Sequence, residues 1–214
     1  MGPEIDVLKF YVLCNRLKNV IRTGWKDWHV SRDRVESVAE HVYSTQMLAI
    51  AIYSKYKYDI DIYKVIFMLA VHELEETLIG DYTQFQISRE EKEKLGHEAI
   101  EKALSVLDNS GYVRDIILEF DKRESKEADF AYHIDKLECD LQCKLYDDEA
   151  CVDVDVELDR RNIHDETVLK LLLEGKSWSE MWLTFGQMKY NYDDNFKSIS
   201  DYAMTHDIKD MANF

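Results

Sequence analysis

The chain has 214 residues, 46% of them hydrophobic, and a formal charge of -16 from 43 acidic against 27 basic side chains. That length can bury a sizeable core, while the charge opposes any general affinity for nucleic acid backbones or anionic membranes, because each such contact works against the whole surface. A single proline, Pro3, and only seven glycines leave few obligatory breaks, so long helices are the expectation.

No run reaches the roughly 18 apolar residues of a membrane span, and the N-terminus lacks the charged-then-apolar order of a secretory signal. The expected setting is therefore a soluble protein of the cytoplasm. Cys14, Cys139, Cys143 and Cys151 contain no CxxC pair and read as reduced, mostly buried thiols rather than a disulfide framework or zinc ribbon. Neither GxGxxG nor GxxxxGK[ST] occurs, and there is no internal repeat.

Residues 5 to 21 read as an amphipathic helix whose Val7, Leu8, Tyr11, Val12, Leu17 and Ile21 pack into the core. The aromatic and basic phrase from Ile21 to Val30 has no clear periodicity; Arg22 in it can meet an anion and Trp25 can wall a pocket, although a surface loop or core plug is the plainer reading. Ser37-Val38-Ala39-Glu40 has the S-x-x-E form of a capping box, so a helix starts at Ser37 and carries His41 in its first turns, running to about Tyr53. Leu48, Ile52 and nearby alanines share a packable face with that histidine.

The next segment is the centre of the chain's chemistry. Ile62, Val65, Ile66 and Leu69 recur at helical spacing, and one further turn of that stripe lands on His72, Glu73 and Glu76. Phe67, Val71, Leu74 and Leu78 occupy the opposite side, so the helix is apolar nearly all round and central, with Gly80 as its C-terminal cap. Carboxylates on a core face cost on the order of several kcal/mol each unless paired, protonated or bound to a cation. The alternative is that both glutamates face water at a fraying helix end.

Ser88-Arg89-Glu90-Glu91 offers a second capping box before a charged helix to about Leu107, with His97 on its surface. Gly111 separates this from a helix over Val113 to Lys122. A further helix over Ala128 to Tyr146 carries Ile134, Leu137, Leu141 and Leu145 as its stripe and Asp135 at the margin of the core, while His133 falls elsewhere on the wheel and Cys139 and Cys143 read as core filler. The last 60 residues give additional helices: Asp165 to Glu174 before Gly175, and one capped by Ser177-Trp178-Ser179-Glu180 with a stripe of Met181, Trp182, Phe185 and Met188. This divides the chain into residues 1–150, which carry the chemistry, and 151–214, a C-terminal helical extension packed on that domain or on a partner subunit.

Two imidazoles, His41 and His72, with two carboxylates, Glu73 and Asp135, come from three helical segments, and such a mixed N/O set suits a divalent first-row metal with positions left for water and substrate. In order they read H…HE…D, and with Arg22-Thr23-Gly24-Trp25, Arg34 to His41 and His72 to Asp81 the chain resembles the HD-domain metal-dependent phosphohydrolases, in the branch of the bacterial 5′-deoxynucleotidases and HD-domain-containing protein 2. The likeness covers roughly residues 5 to 146.

The resemblance implies an all-α helical bundle and a metal-dependent phosphoric monoester hydrolase acting on (deoxy)nucleoside 5′-monophosphates. It implies His41, His72, Glu73 and Asp135 as ligands of one divalent ion (cobalt, manganese, magnesium, zinc, iron or nickel) and Glu76 as the carboxylate that handles protons. By the same resemblance Arg22 contacts the phosphate, Trp25 and Asp81 shape the sugar pocket, the small-molecule partner is a nucleotide, and the protein is a homodimer. The chief departure is Glu73 where the family has Asp. The extra methylene moves the donor oxygen, which leaves open hydrolysis of another nucleotide or small phosphate ester, or a catalytically silent nucleotide-binding module.

Overall fold

A computed structural model of the chain describes residues 2–83, 86–160, 163 and 165–212. Among these the regular structure is helical, as expected, and extended pairing is confined to one isolated antiparallel bridge between Ile21 and Ser37. No described helix is long and apolar enough to cross a membrane. The chain divides into two compact units, Met1–Asp27 with Arg34–Tyr132, and Trp28–Asp33 with His133–Phe214, whereas the sequence reading places its boundary at 150.

The first unit contains α1 (Pro3–Cys14), a 3-10 turn at Asn15–Asn19, then α2 (Thr23–Asp27), α3 (Val38–Lys55), α4 (Ile62–Val71), α5 (Glu76–Ile79), α6 (Arg89–Leu104), α7 (Gly111–Lys122) and the first turns of α8 (Lys126–Asp148). Local chemistry sets most of these starts. Ser37 and Glu40 form the reciprocal capping box of α3, Asp61 accepts from the Tyr63 and Lys64 amides at the start of α4, and Ser88 accepts from the Glu91 amide at the start of α6. Leu74, Ile100, Ala103, Leu104, Val113 and Ile117 make one buried cluster with Phe67, Val71 and Leu78 against it, so the stripe opposite the histidine packs on α6 and α7. Each fully buried branched side chain there contributes about 1.5–3 kcal/mol.

Two expectations change. Residues 5 to 21 do not form a core helix: α1 has no buried residue, and Val7, Leu8, Tyr11 and Val12 are about three-fifths exposed. The central helix is also interrupted, since α4 ends at Val71 and α5 restarts at Glu76. The Leu69 carbonyl meets His72 Nδ1 at 2.8 Å, so a side chain competes for the acceptor that a continuing helix reserves for the Glu73 amide. The chain then closes tighter turns, with Leu74 N–H donating to the Val71 carbonyl at 3.0 Å and Glu76 N–H to the Glu73 carbonyl at 3.2 Å. Gly80, at φ 79°, caps α5 as expected.

The second unit contains the remainder of α8, then α9 (Val154–Arg160), α10 (Glu166–Leu173), α11 (Trp178–Tyr190) and α12 (Asp194–Thr205). Asp165 and Asp193 cap α10 and α12, and Ser177 with Glu180 forms the capping box of α11. Asp147 of α8 accepts from Ser179 N–H at 3.0 Å and from Ser177 Oγ at 2.9 Å, tying α8 to the start of α11. Trp178, Met181, Leu183, Phe196 and Ala203 fill the interior. On α8 the buried positions include Ile134, Asp135, Leu137, Asp140, Cys143 and Tyr146, while Leu141 and Leu145 are only half-buried.

Candidate metal centre

The Ile21–Ser37 bridge positions the first two components. Arg22 N–H donates to the Glu36 carbonyl at 3.0 Å and Val38 N–H to the Val20 carbonyl at 2.8 Å, so the stretch carrying Arg22 is fixed to the start of α3. His41 follows one turn inside that helix and is fully buried. Its Nε2 lies 3.8 Å from Glu73 Oε1, His72 Nε2 lies 3.6 Å from the same oxygen, and Arg22 Nη1 stands 3.4 Å from it. The two imidazole centroids are 5.4 Å apart, and the Phe120 ring meets His72 edge-on at 5.4 Å. His41, His72, Glu73 and Asp135 each offer one donor atom within 4.8 Å of all the others.

Glu76 does not face water at a helix end. It is 1% exposed, and burial pushes its pKa well above the usual carboxylate range, with Glu73 and Asp81 adding to the rise. Lys92 of α6 reaches Glu76 Oε1 at 3.4 Å and the Tyr82 carbonyl at 3.2 Å, while Glu76 Oε2 has no hydrogen-bond partner among the described residues. Glu75 is a second raised carboxyl, pushed up to about 8 by burial and by Glu73.

The remaining expected residues sit close to this centre with structural partners of their own. Asp81 Oδ2 accepts from the Thr23 amide at 2.5 Å and its carbonyl accepts from Thr23 Oγ1 at 2.7 Å, holding the residue next to Arg22. Trp25 is 2% exposed and its indole N–H donates to Glu36 Oε2 at 2.7 Å, so it is built into the core beneath the phrase that carries Arg22. Sequence reasoning missed Lys92, read there only as part of a charged helix, and Glu75, the unremarked third acid of His72-Glu73-Leu74-Glu75-Glu76.

The donor set fits a divalent first-row ion. Contact of His72 Nδ1 with a carbonyl oxygen places the proton on Nδ1 and leaves Nε2 as the lone-pair donor, the tautomer a ligand needs. Separations of 3.6 and 3.8 Å between imidazole nitrogen and Glu73 Oε1 are too long for hydrogen bonds. They suit two donors sharing one cation, because ligands held at about 2.0–2.2 Å from an ion stand no more than about 4.4 Å apart.

Against known proteins, the family model described as HD domain matches residues 14–188. The 5′-deoxynucleotidase HDDC2 of Dictyostelium discoideum is 34% identical over 152 residues, 66% of this chain and 78% of that protein, and HDDC2 of Homo sapiens is 30% identical over 146 residues, 67% of this chain and 69% of that protein. Among solved structures, a protein of Magnetospirillum magnetotacticum described as a predicted metal-dependent phosphohydrolase superposes with a TM-score of 0.60 at 18% identity, covering 93% of each chain.

Proposed function

Because this chain belongs to the HD-domain family, we propose that it is a metal-dependent phosphohydrolase that removes the 5′-phosphate from nucleoside monophosphates, deoxynucleoside monophosphates in particular. The observation that carries the reading is the convergence of four donor atoms from His41, His72, Glu73 and Asp135 within 4.8 Å beside a buried acid and two cations. These four residues would hold one divalent ion, which would supply Lewis-acid charge for the phosphoryl oxygens and lower the pKa of water. Arg22, already aimed at Glu73 Oε1, exchanges that contact for a phosphate oxygen and orients the substrate. Glu76, whose proton affinity burial raises, is placed to deliver the proton that the leaving 5′-oxygen needs, and Lys92 anchors its Oε1.

Asp81 and Trp25 shape the sugar pocket through the segment they brace, Asp81 by fixing Thr23 and Trp25 by filling the space below it. Glu73 in place of the shorter Asp keeps the donor type, and one of its two oxygens, Oε1, already faces both imidazoles. A homodimer in the cytoplasm completes the proposal.

The test is phosphate release from a panel of deoxynucleoside and ribonucleoside mono- and triphosphates with cobalt, manganese or magnesium added, alongside elemental analysis of the purified protein. The expected result is inorganic phosphate from 5′-monophosphates with one equivalent of metal bound. Metal-loaded protein that releases phosphate from none of them, but does so after Glu73→Asp, establishes the silent binding module instead.

A further inference from the structure

Asp135 and Lys136 are sequence neighbours on α8, yet Lys136 Nζ stands 2.7 Å from Asp135 Oδ2. Adjacent side chains on a helix point about 100° apart and do not normally meet, so something turns the lysine back toward Asp135. Asp140, one turn further along α8, lies on the same face as Lys136 and is 2% exposed. That spacing puts the Lys136 ammonium and the Asp140 carboxyl on neighbouring turns of α8. Lys136 itself loses from burial and gains more from Asp135, with a net raised pKa.

Asp140 is in turn held from the C-terminal helices. Tyr192 donates its hydroxyl to Asp140 Oδ2 at 2.9 Å, and its ring stacks on Phe196 at 5.8 Å and meets the edge of His133 at 5.7 Å. His133 Nε2 contacts the Tyr190 carbonyl at 2.9 Å. Gly186 of α11 faces the same carboxyl: a β-carbon there would overlap Asp140 Oδ2 and stand 2.9 Å from its Cγ. The absence of a side chain at 186 is what admits Asp140 between α8 and α11.

We propose that Lys136, Asp140 and Tyr192 form a positioning relay for Asp135, in which the C-terminal helices set how tightly the metal is held. Resting on the metal-ligand reading above, the relay engages Asp135 Oδ2 with the Lys136 ammonium and so restrains the carboxylate that would serve as a ligand. Polar partners that fix a ligating carboxylate typically govern metal affinity by about 10- to 100-fold. None of the three residues touches substrate; each acts through Asp135.

The experiment is titration of metal-free full-length protein with cobalt, followed by calorimetry and by the visible cobalt spectrum, for wild type, Lys136→Met, Tyr192→Phe and Leu183→Val. Leu183 is fully buried on α11 and lies outside the relay, so its variant reports a purely structural loss. The expected result is cobalt affinity about tenfold or more weaker in Lys136→Met and Tyr192→Phe, with an altered spectrum, and unchanged in Leu183→Val. Should Lys136→Met fail to fold, Tyr192→Phe decides, since it removes one oxygen atom. Wild-type affinity and spectrum in the relay variants, or equal weakening in Leu183→Val, overturns the relay while leaving the metal site standing. A wild type that takes up no cobalt overturns the metal site and the relay together.

Discussion

The stretch from His72 to Asp81 and the corner formed by Asp140, Gly186 and Tyr192 both bury carboxyl groups, but they compensate them differently. Asp140 has a hydroxyl donor at 2.9 Å, a cation one turn away on its own helix, and a glycine making room for it. Glu75 and Glu76 each keep an oxygen without a hydrogen-bond partner among the described residues, and their raised pKa values owe much to Glu73 beside them. Burial of an acid is thus compatible with ordinary stable packing in one place and is left costly in the other. The costly place is where the candidate chemistry lies, as expected when a site is kept under strain for function.

Variants can separate these two kinds of buried acid. His41→Ala should have the largest effect, lowering bound metal in elemental analysis and bringing phosphate release to background, because it removes one of the two imidazoles proposed to hold the ion. Glu76→Gln should lower kcat by about 10²–10⁴ while metal content stays at the wild-type level. The same substitution should make the metal-free protein gain stability on wild type as pH is raised above the usual carboxylate range, because burial, with Glu73 and Asp81 adding to it, raises the Glu76 pKa in the folded state. A Glu76→Gln protein that is both inactive and less stable would break the contrast.

In the other region Gly186→Ala should destabilise the fold by about 1–3 kcal/mol in urea unfolding, because the new methyl must displace Asp140. Asp140→Asn sharpens the comparison through pH. The folded-state pKa of Asp140 lies above its ordinary value, so whatever stability it contributes is fully present below the usual carboxylate range and declines as pH rises through the folded value. The asparagine variant should therefore gain on wild type as pH is raised from 4 to 8, in paired denaturant midpoints. Glu73→Asp should have the smallest effect, a change of less than about tenfold, or about 1.4 kcal/mol, in kcat/KM together with a shifted metal preference.

Much of this architecture is written locally. Ser37 with Glu40 and Ser177 with Glu180 announce α3 and α11, and Asp165 and Gly175 bracket α10, because a cap is satisfied by residues within four positions of it. The break after Val71 is not legible in this way. Apolar spacing continues through Leu74 and Leu78 into the core cluster, while the interruption comes from one histidine ring on the Leu69 carbonyl, a contact that periodicity does not encode. The exposed face of α1 was invisible for the opposite reason, since an amphipathic pattern records an apolar stripe and not whether anything covers it.

The site divides along the same line. His41, His72, Glu73 and Asp135 stand out in the sequence because their residue types are incongruous on helices with apolar stripes. Lys92 was hidden, since a lysine in a helix of alternating charge reads as solvated until its reach to Glu76 and the Tyr82 carbonyl is seen. Lys136, Asp140 and Tyr192 were hidden more deeply, because their relation spans some 50 positions of chain and depends on a glycine whose role is steric.

The single bridge between Ile21 and Ser37 works as a clasp on an excursion of the chain. Arg22 and His41 keep their mutual placement through the bridge itself, so a change of length within residues 26 to 35 need not displace either one. A slip of one residue at the clasp is a different matter, because extended backbone alternates its faces. It would turn the Arg22 guanidinium away from Glu73, converting a change outside the centre into loss of its anion contact.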